Sequence, residues 1–225
     1  MATPNRAGRL IGALILAQMV GGGVVNFVLA APLAAAPGFL VNAAPNASQI
    51  ALSVLVGLAV AGLALAIAIV AYPVLRPRSQ AMALWFLALA IVSLAVGVIE
   101  QTTVRSMLSL SEAYTQASAA ADREQYQALR VVVASARNWA HYVGLIVAGC
   151  TLFVFYAALF RFALVPRALA AFGLASVLLQ IVAVAKPVFG HAIVFPLLAP
   201  LGLCQLLLAI WLIAKGFASP GTRVR

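Results

Sequence analysis

The chain has 225 residues, of which 65% are hydrophobic and only 8% charged, with a mean hydropathy of +1.12. A soluble domain carries roughly a quarter of its residues as charges to cover its surface, so water is not the solvent for most of this one. The net charge of +10 does not point to nucleic acid, because the basic residues sit in the gaps between apolar runs rather than on one polar face.

A helix crossing about 30 Å of hydrocarbon needs about 20 apolar residues. Six stretches qualify, near 10–34, 50–73, 81–106, 138–160, 168–189 and 194–215. The expectation is an all-α integral membrane protein with six transmembrane helices, forming a single bundle over 1–225.

The first span follows Arg6 and Arg9, and "LAAAP" resembles a small-residue cleavage site. Its apolar part is longer than the roughly 7–15 residues of a secretory signal and contains Gln18, Asn26 and three consecutive glycines, so it reads as a retained helix. "YPVLRPR" closes the second span, with Pro73 and Pro77 as helix breakers. Pro166 suits the first turn of the fifth helix, and Gly190 is a natural stop before the sixth.

Between the third and fourth spans the sequence changes character. "SLSEAYTQASAAADREQYQALRVVVASAR" is rich in good helix formers and lacks Gly and Pro. The third helix should continue to about Ala119, and a new one should start at Asp122, whose spacing from Gln125 is that of a capping box. That predicts a helical hairpin at about 107–136, standing about 20 Å beyond the bilayer at 1.5 Å per residue.

Lysine and arginine counts set the orientation. Arg6, Arg9, Arg76, Arg78, Arg161, Arg167, Lys215, Arg223 and Arg225 fall on one side. Arg105, Arg123, Arg130, Arg137 and Lys186 fall on the other, mostly in the long connection, together with all four acids. Short loops weigh most, which makes both termini cytoplasmic and the hairpin extracytoplasmic.

Polar groups inside hydrocarbon are costly and therefore informative. Gln18, Gly22, Asn26 and Ala30 share one face of the first helix, and Arg137, His141, Gly144, Ala148 and Thr151 form a stripe on the fourth. The glycines, Gln18, Gln180 and Gln205 read as packing and hydrogen-bonding residues between helices. The remaining groups gather by height. At 1.5 Å per residue Asn26 lies about 24 Å, Glu100 about 28 Å and Lys186 about 27 Å above the cytoplasmic side, and His141 about 5 Å below the outer one.

Glu100 is therefore placed to meet Arg137 and His141. One explanation is simple anchoring: a boundary ion pair, Trp139 at the interface and Lys186 extended toward water. The other is a pocket in the outer half that holds a small or lipid-like ligand with an anionic or polar head near Arg137. Its candidate residues are Asn26, Glu100, Gln101, Arg137, Asn138, His141, Lys186 and His191. Glu100 or His141 acting as general acid or base on a lipid-soluble substrate is a third possibility, so enzymatic activity stays open. A subunit that binds a protein partner at the 107–136 hairpin is a fourth.

No metal or cofactor is called for. The two histidines lack the close spacing of zinc or iron ligands, and the four acids are too scattered for a magnesium-dependent prenyl chemistry. Cys150 and Cys204 lie mid-span as packing residues. No nucleotide-binding, nucleophile-elbow or inverted-repeat pattern is present.

"RLIGALILAQMVGGGVVNFVL", "YPVLR", "ARNWAHYVGLIVAG", "LFRFALVPRALAAFGL" and "PLGLCQLLLAIWLIAKGF" together resemble a bacterial membrane-protein family, domain of unknown function 4386, from about residue 8 to 217. The resemblance implies six helices and a bacterial inner membrane, and it brings no activity or catalytic residue. Members more often carry Asp where this chain has Asn138, and many carry an Arg and a Glu near the positions of Ala90 and Ser93. The resemblance thus implies an altered version of that charged pair here.

Overall fold

The computed structural model describes residues 4–218 and is helical throughout, with no strand among them. The helices are α1 (Pro4–Val24), α2 (Ala31–Ala34), α3 (Phe39–Asn42), α4 (Ala47–Leu75), α5 (Gln80–Gln116), α6 (Ala120–Arg161), α7 (Arg167–Ala185) and α8 (Ala199–Lys215). Six stretches are long and apolar enough to span a membrane: Asn5–Leu29, Ala44–Leu75, Gln80–Gln116, Ala120–Arg161, Arg167–Phe189 and Phe195–Lys215. Side chains such as Leu55, 65% exposed well inside such a stretch, are affordable when lipid rather than water covers them. The protein is an all-α, multi-pass membrane protein. Arg223 and Arg225, counted above for orientation, lie outside the described residues.

Several boundaries differ from the sequence expectations. The first long helix stops earlier than residue 34: α1 passes into a π-helical turn, Val25–Leu29, closed by the Ala30 amide donating to the Val25 carbonyl at 2.8 Å. Pro73 does not end α4, which continues to Leu75. It sits in the last turn, where its missing N–H removes one bond and few residues follow to be misdirected. Asp122 lies within the first turn of α6 rather than ahead of it, so its carboxylate faces the positive end of the helix dipole. Pro166 caps α7, and Gly190, in the left-handed conformation at φ 77°, ends the 3₁₀ turn Lys186–Phe189.

The chain divides into two compact units. The first takes in the residues up to Gln18, Gly62–Leu94, and the chain from Leu145 onward. Its centre holds Ile11, Leu75, Phe155, Tyr156, Leu159, Val177, Leu208 and Leu212, all essentially inaccessible. Phe86 stacks on Phe155 with ring centroids 4.9 Å apart. Glycine makes the closest approaches possible. A Cβ on Gly12 would stand 2.7 Å from the Ala209 carbonyl oxygen, and one on Gly173 would run into the Tyr156 ring. Polar side chains link neighbouring helices: the Ser93 and Thr151 hydroxyls meet at 3.0 Å, and Gln180 Nε2 donates to the Leu145 carbonyl at 3.1 Å. For Gln180 this is the packing role expected from the sequence.

The second unit is Met19–Ala61 with Ala95–Gly144. Here the connection between the first two spanning helices folds onto α5 and α6. Ala43, Ile50, Val104 and Leu108 form one buried group, and Phe39, Leu40 and Met107 another, the latter flanked by Tyr114, Val133 and Ala134. Ser111 fastens the segment from both sides: its hydroxyl donates to the Leu40 carbonyl at 2.8 Å and accepts from the Ala44 amide at 2.9 Å. Gln49 Nε2 donates to the Val28 and Leu29 carbonyls at 2.9 and 3.3 Å, supplying partners where the π turn leaves carbonyls without an amide.

Candidate functional site

Ionisable groups meet within the second unit. Arg137 and His141 are four residues apart on α6, so their side chains leave the same face one turn apart. Glu100 projects from α5 toward that face. His141 Nδ1 lies 2.8 Å from Glu100 Oε1, and Arg137 Nη2 lies 3.7 Å from the same oxygen. The side chains are 18% (Glu100), 23% (Arg137) and 27% (His141) exposed, neither sealed in the interior nor free at a surface.

The two contacts are unequal. At 2.8 Å the imidazole holds its proton on Nδ1 and donates it to the carboxylate, a short charge-assisted bond. At 3.7 Å the guanidinium makes an electrostatic contact and no hydrogen bond. Arginine is capable of a bidentate fork on a carboxylate, but Arg137 does not make one. Its Nε is buried without a hydrogen-bond partner. A buried donor left in that state costs about 1–3 kcal/mol.

The net charge of the cluster is set by the imidazole. One carboxylate serves two basic groups, so the trio is neutral with a neutral imidazole and carries one positive charge with an imidazolium. Gly144 continues the stripe of Arg137 and His141. A Cβ there would lie 3.5 Å from Val96 Cγ1 and 3.9 Å from Glu100 Oε2, so glycine leaves a methyl-sized gap beside the second carboxylate oxygen. Oε2 accepts no hydrogen bond among the described residues.

The other candidates are placed differently. Gln101, the next residue along α5, turns its carboxamide onto Gly57 of α4, where a Cβ would stand only 2.6 Å from it. Asn138 is exposed, one residue around the helix from Arg137. Asn26 Nδ2 donates to the carbonyl of Gly22 in its own helix at 2.9 Å. Lys186 and His191 belong to the first unit, around the 3₁₀ turn after α7. The contacts of Glu100 thus run to Arg137 and His141, and the other five candidates have surroundings of their own.

Sequence reasoning singled out the charged trio and passed over three residues that shape its unit. Gly144 reads from the sequence as a helix-packing glycine, and the stripe it shares with Arg137 is the available signal. Gln49 and Ser111 carry no signal in a single sequence, since a polar residue near a helix end is ordinary. Among the described residues no group of three His, Cys, Asp or Glu side chains stands close enough to hold a metal ion.

No curated protein and no solved structure matches the chain. A family model does, over residues 10–216, nearly the whole of the sequence. Six membrane-spanning helices and that match agree: the chain belongs to the family described as Domain of unknown function (DUF4386).

Proposed function

We propose that this protein resides in the bacterial inner membrane, with both termini cytoplasmic, and binds a small or lipid-like ligand through the cluster on α5 and α6. Arg137 is the contact for an anionic or polar head group. One observation carries the reading: Glu100 is already engaged by His141, so Arg137 keeps a guanidinium with unused donors at a partly exposed position. An arginine that served only to close a boundary ion pair would gain most from a bidentate grip on its carboxylate. Arg137 stands off instead.

The test is the molecule that co-purifies. Native mass spectrometry of protein extracted in mild detergent should show a bound lipid or metabolite on the wild type that is missing from Arg137→Ala. Equal occupancy in the two would remove the site and leave an anchoring ion pair.

The 2.8 Å Glu100–His141 contact favours a second reading, in which this pair passes a proton to or from a lipid-soluble substrate. Glu100→Gln would then cause a precursor to accumulate in cells, as deletion of the whole protein would. A partner docking on 107–136 is the remaining alternative, and pull-down with and without that segment separates it from both.

A further inference from the structure

Three features of the Glu100 cluster bear on what its ligand is. Both basic side chains make their closest approach to one carboxylate oxygen, Oε1. Among the described residues the other oxygen, Oε2, accepts no hydrogen bond, and it lies 3.9 Å from the methyl-sized position that a Cβ on Gly144 would fill, with Val96 Cγ1 3.5 Å from the same point. Arg137, whose Nη2 stands 3.7 Å from Oε1, makes no hydrogen bond among the described residues, and its Nε is buried without a partner. The cluster therefore offers a guanidinium that calls for an anion and, on the carboxylate it stands beside, an oxygen that calls for a donor.

A simple anion satisfies only half of this arrangement, and its charge would face the Glu100 carboxylate from close by. A simple cation satisfies the other half and is repelled by Arg137. A group that carries both signs in order answers both demands. Its anion replaces the loose 3.7 Å contact of Arg137, and its N–H donors reach Oε2 beside Gly144. The Glu100–His141 bond stays intact and keeps the carboxylate oriented.

We propose that the ligand is a zwitterion of the phosphoethanolamine type, with its phosphate on Arg137 and its primary ammonium on Glu100 Oε2. The inference rests on the ligand-binding reading above and names the chemistry of that ligand. A primary ammonium is required because a quaternary one has no N–H to give. The same head group exists on a membrane lipid and as a free soluble molecule, and the binding measurement separates the two sources.

Purified full-length protein is delipidated and titrated by native mass spectrometry with phosphatidylethanolamine, phosphatidylcholine and phosphatidylglycerol of identical chains, and with free phosphoethanolamine. The wild type should bind phosphatidylethanolamine about tenfold more tightly than phosphatidylcholine, equivalent to about 1.4 kcal/mol. Glu100→Gln should reduce that preference to less than threefold. Gly144→Ala adds a methyl at ordinary contact distances, so it should fold normally and still lose most of the preference. It keeps the test decisive if Glu100→Gln folds poorly. Arg137→Ala should weaken all three phospholipids together.

Displacement of phosphatidylethanolamine by the free head group at comparable concentration would mark a soluble ligand, and failure to displace it a lipid. Both results support the zwitterion. Equal wild-type binding of phosphatidylethanolamine and phosphatidylcholine, tighter binding of phosphatidylglycerol, or a preference that survives both Glu100→Gln and Gly144→Ala would overturn it. If Arg137→Ala also leaves every lipid bound as before, the ligand-binding reading falls as well. If it weakens them all while no preference for the primary ammonium exists, only the zwitterion falls.

Discussion

His141 Nδ1 approaches Glu100 Oε1 to 2.8 Å, joining α5 to α6 by a charge-assisted hydrogen bond between positions 41 residues apart. Both side chains are partly exposed, so the bond is worth less than a sealed ion pair, whose disruption costs about 3–5 kcal/mol. A double-mutant cycle of Glu100→Gln and His141→Gln should give a coupling energy of about 1–2 kcal/mol. It is measured from unfolding in detergent. A coupling indistinguishable from zero would mean that the two groups meet without consequence for the fold.

Gly173→Ala tests the closest packing in the first unit. The new methyl would collide with the Tyr156 ring, and Tyr156 has no space to yield because it is fully buried. The expected loss is about 1–3 kcal/mol, the usual range for an overpacked core. Tyr156→Phe keeps the ring and removes a hydroxyl that makes no hydrogen bond among the described residues, so stability should stay within about 1 kcal/mol of the wild type. Thermal melts of the two variants should separate them clearly.

Ser111→Ala removes two bonds with one atom, since the hydroxyl serves both the Leu40 carbonyl and the Ala44 amide. The cost should be about 1–3 kcal/mol, because the backbone groups left behind lose their partner. The effect should be local. Amide hydrogen exchange should accelerate around Leu40–Ala44, while the amides at the centre of α8 remain as protected as before.

Ser93→Ala offers a contrasting magnitude. Its hydroxyl meets that of Thr151 at 3.0 Å between two helices, but Thr151 also donates to the Val147 carbonyl of its own helix at 2.8 Å. Interhelical hydrogen bonds in membranes average about 0.6 kcal/mol, and one whose partner has another bond should fall at or below that figure. A loss above about 2 kcal/mol would show that the pair holds the helices together.

The six helices are legible in the sequence because length and hydropathy are local properties, and hydrocarbon leaves a backbone little choice but to close its own hydrogen bonds. The approach of Glu100 to Arg137 and His141 is legible for a related reason. Residues at i and i+4 share a face, a fixed rise per residue converts position into height, and a carboxylate at that height lowers the cost of a guanidinium. The segment from Val25 to Asn46 could not be read this way. "VNFVLAAPLAAA" is uniformly apolar or small, so periodicity does not reveal that the helix changes pitch at Val25 and yields to short turns after Leu29. The contacts that hold this segment come from Gln49 and Ser111, which are distant in the chain and whose partners are backbone atoms. The division of the eight candidates was equally hidden. Gln101 follows Glu100 directly, but one step around a helix is about 100°, enough to turn it to Gly57 instead of His141.

The Ala30-to-Val25 hydrogen bond spans five residues where an α-helix spans four, so the turn at Val25–Leu29 holds one residue in surplus. Deleting a single amino acid there would restore an unbroken ladder and shift the phase of everything that follows by about 100°. The carbonyls of Val28 and Leu29 would then point away from Gln49. A one-codon loss in this stretch would thus make the ladder regular while detaching it from Gln49, whereas point substitutions that preserve the count would leave the attachment in place.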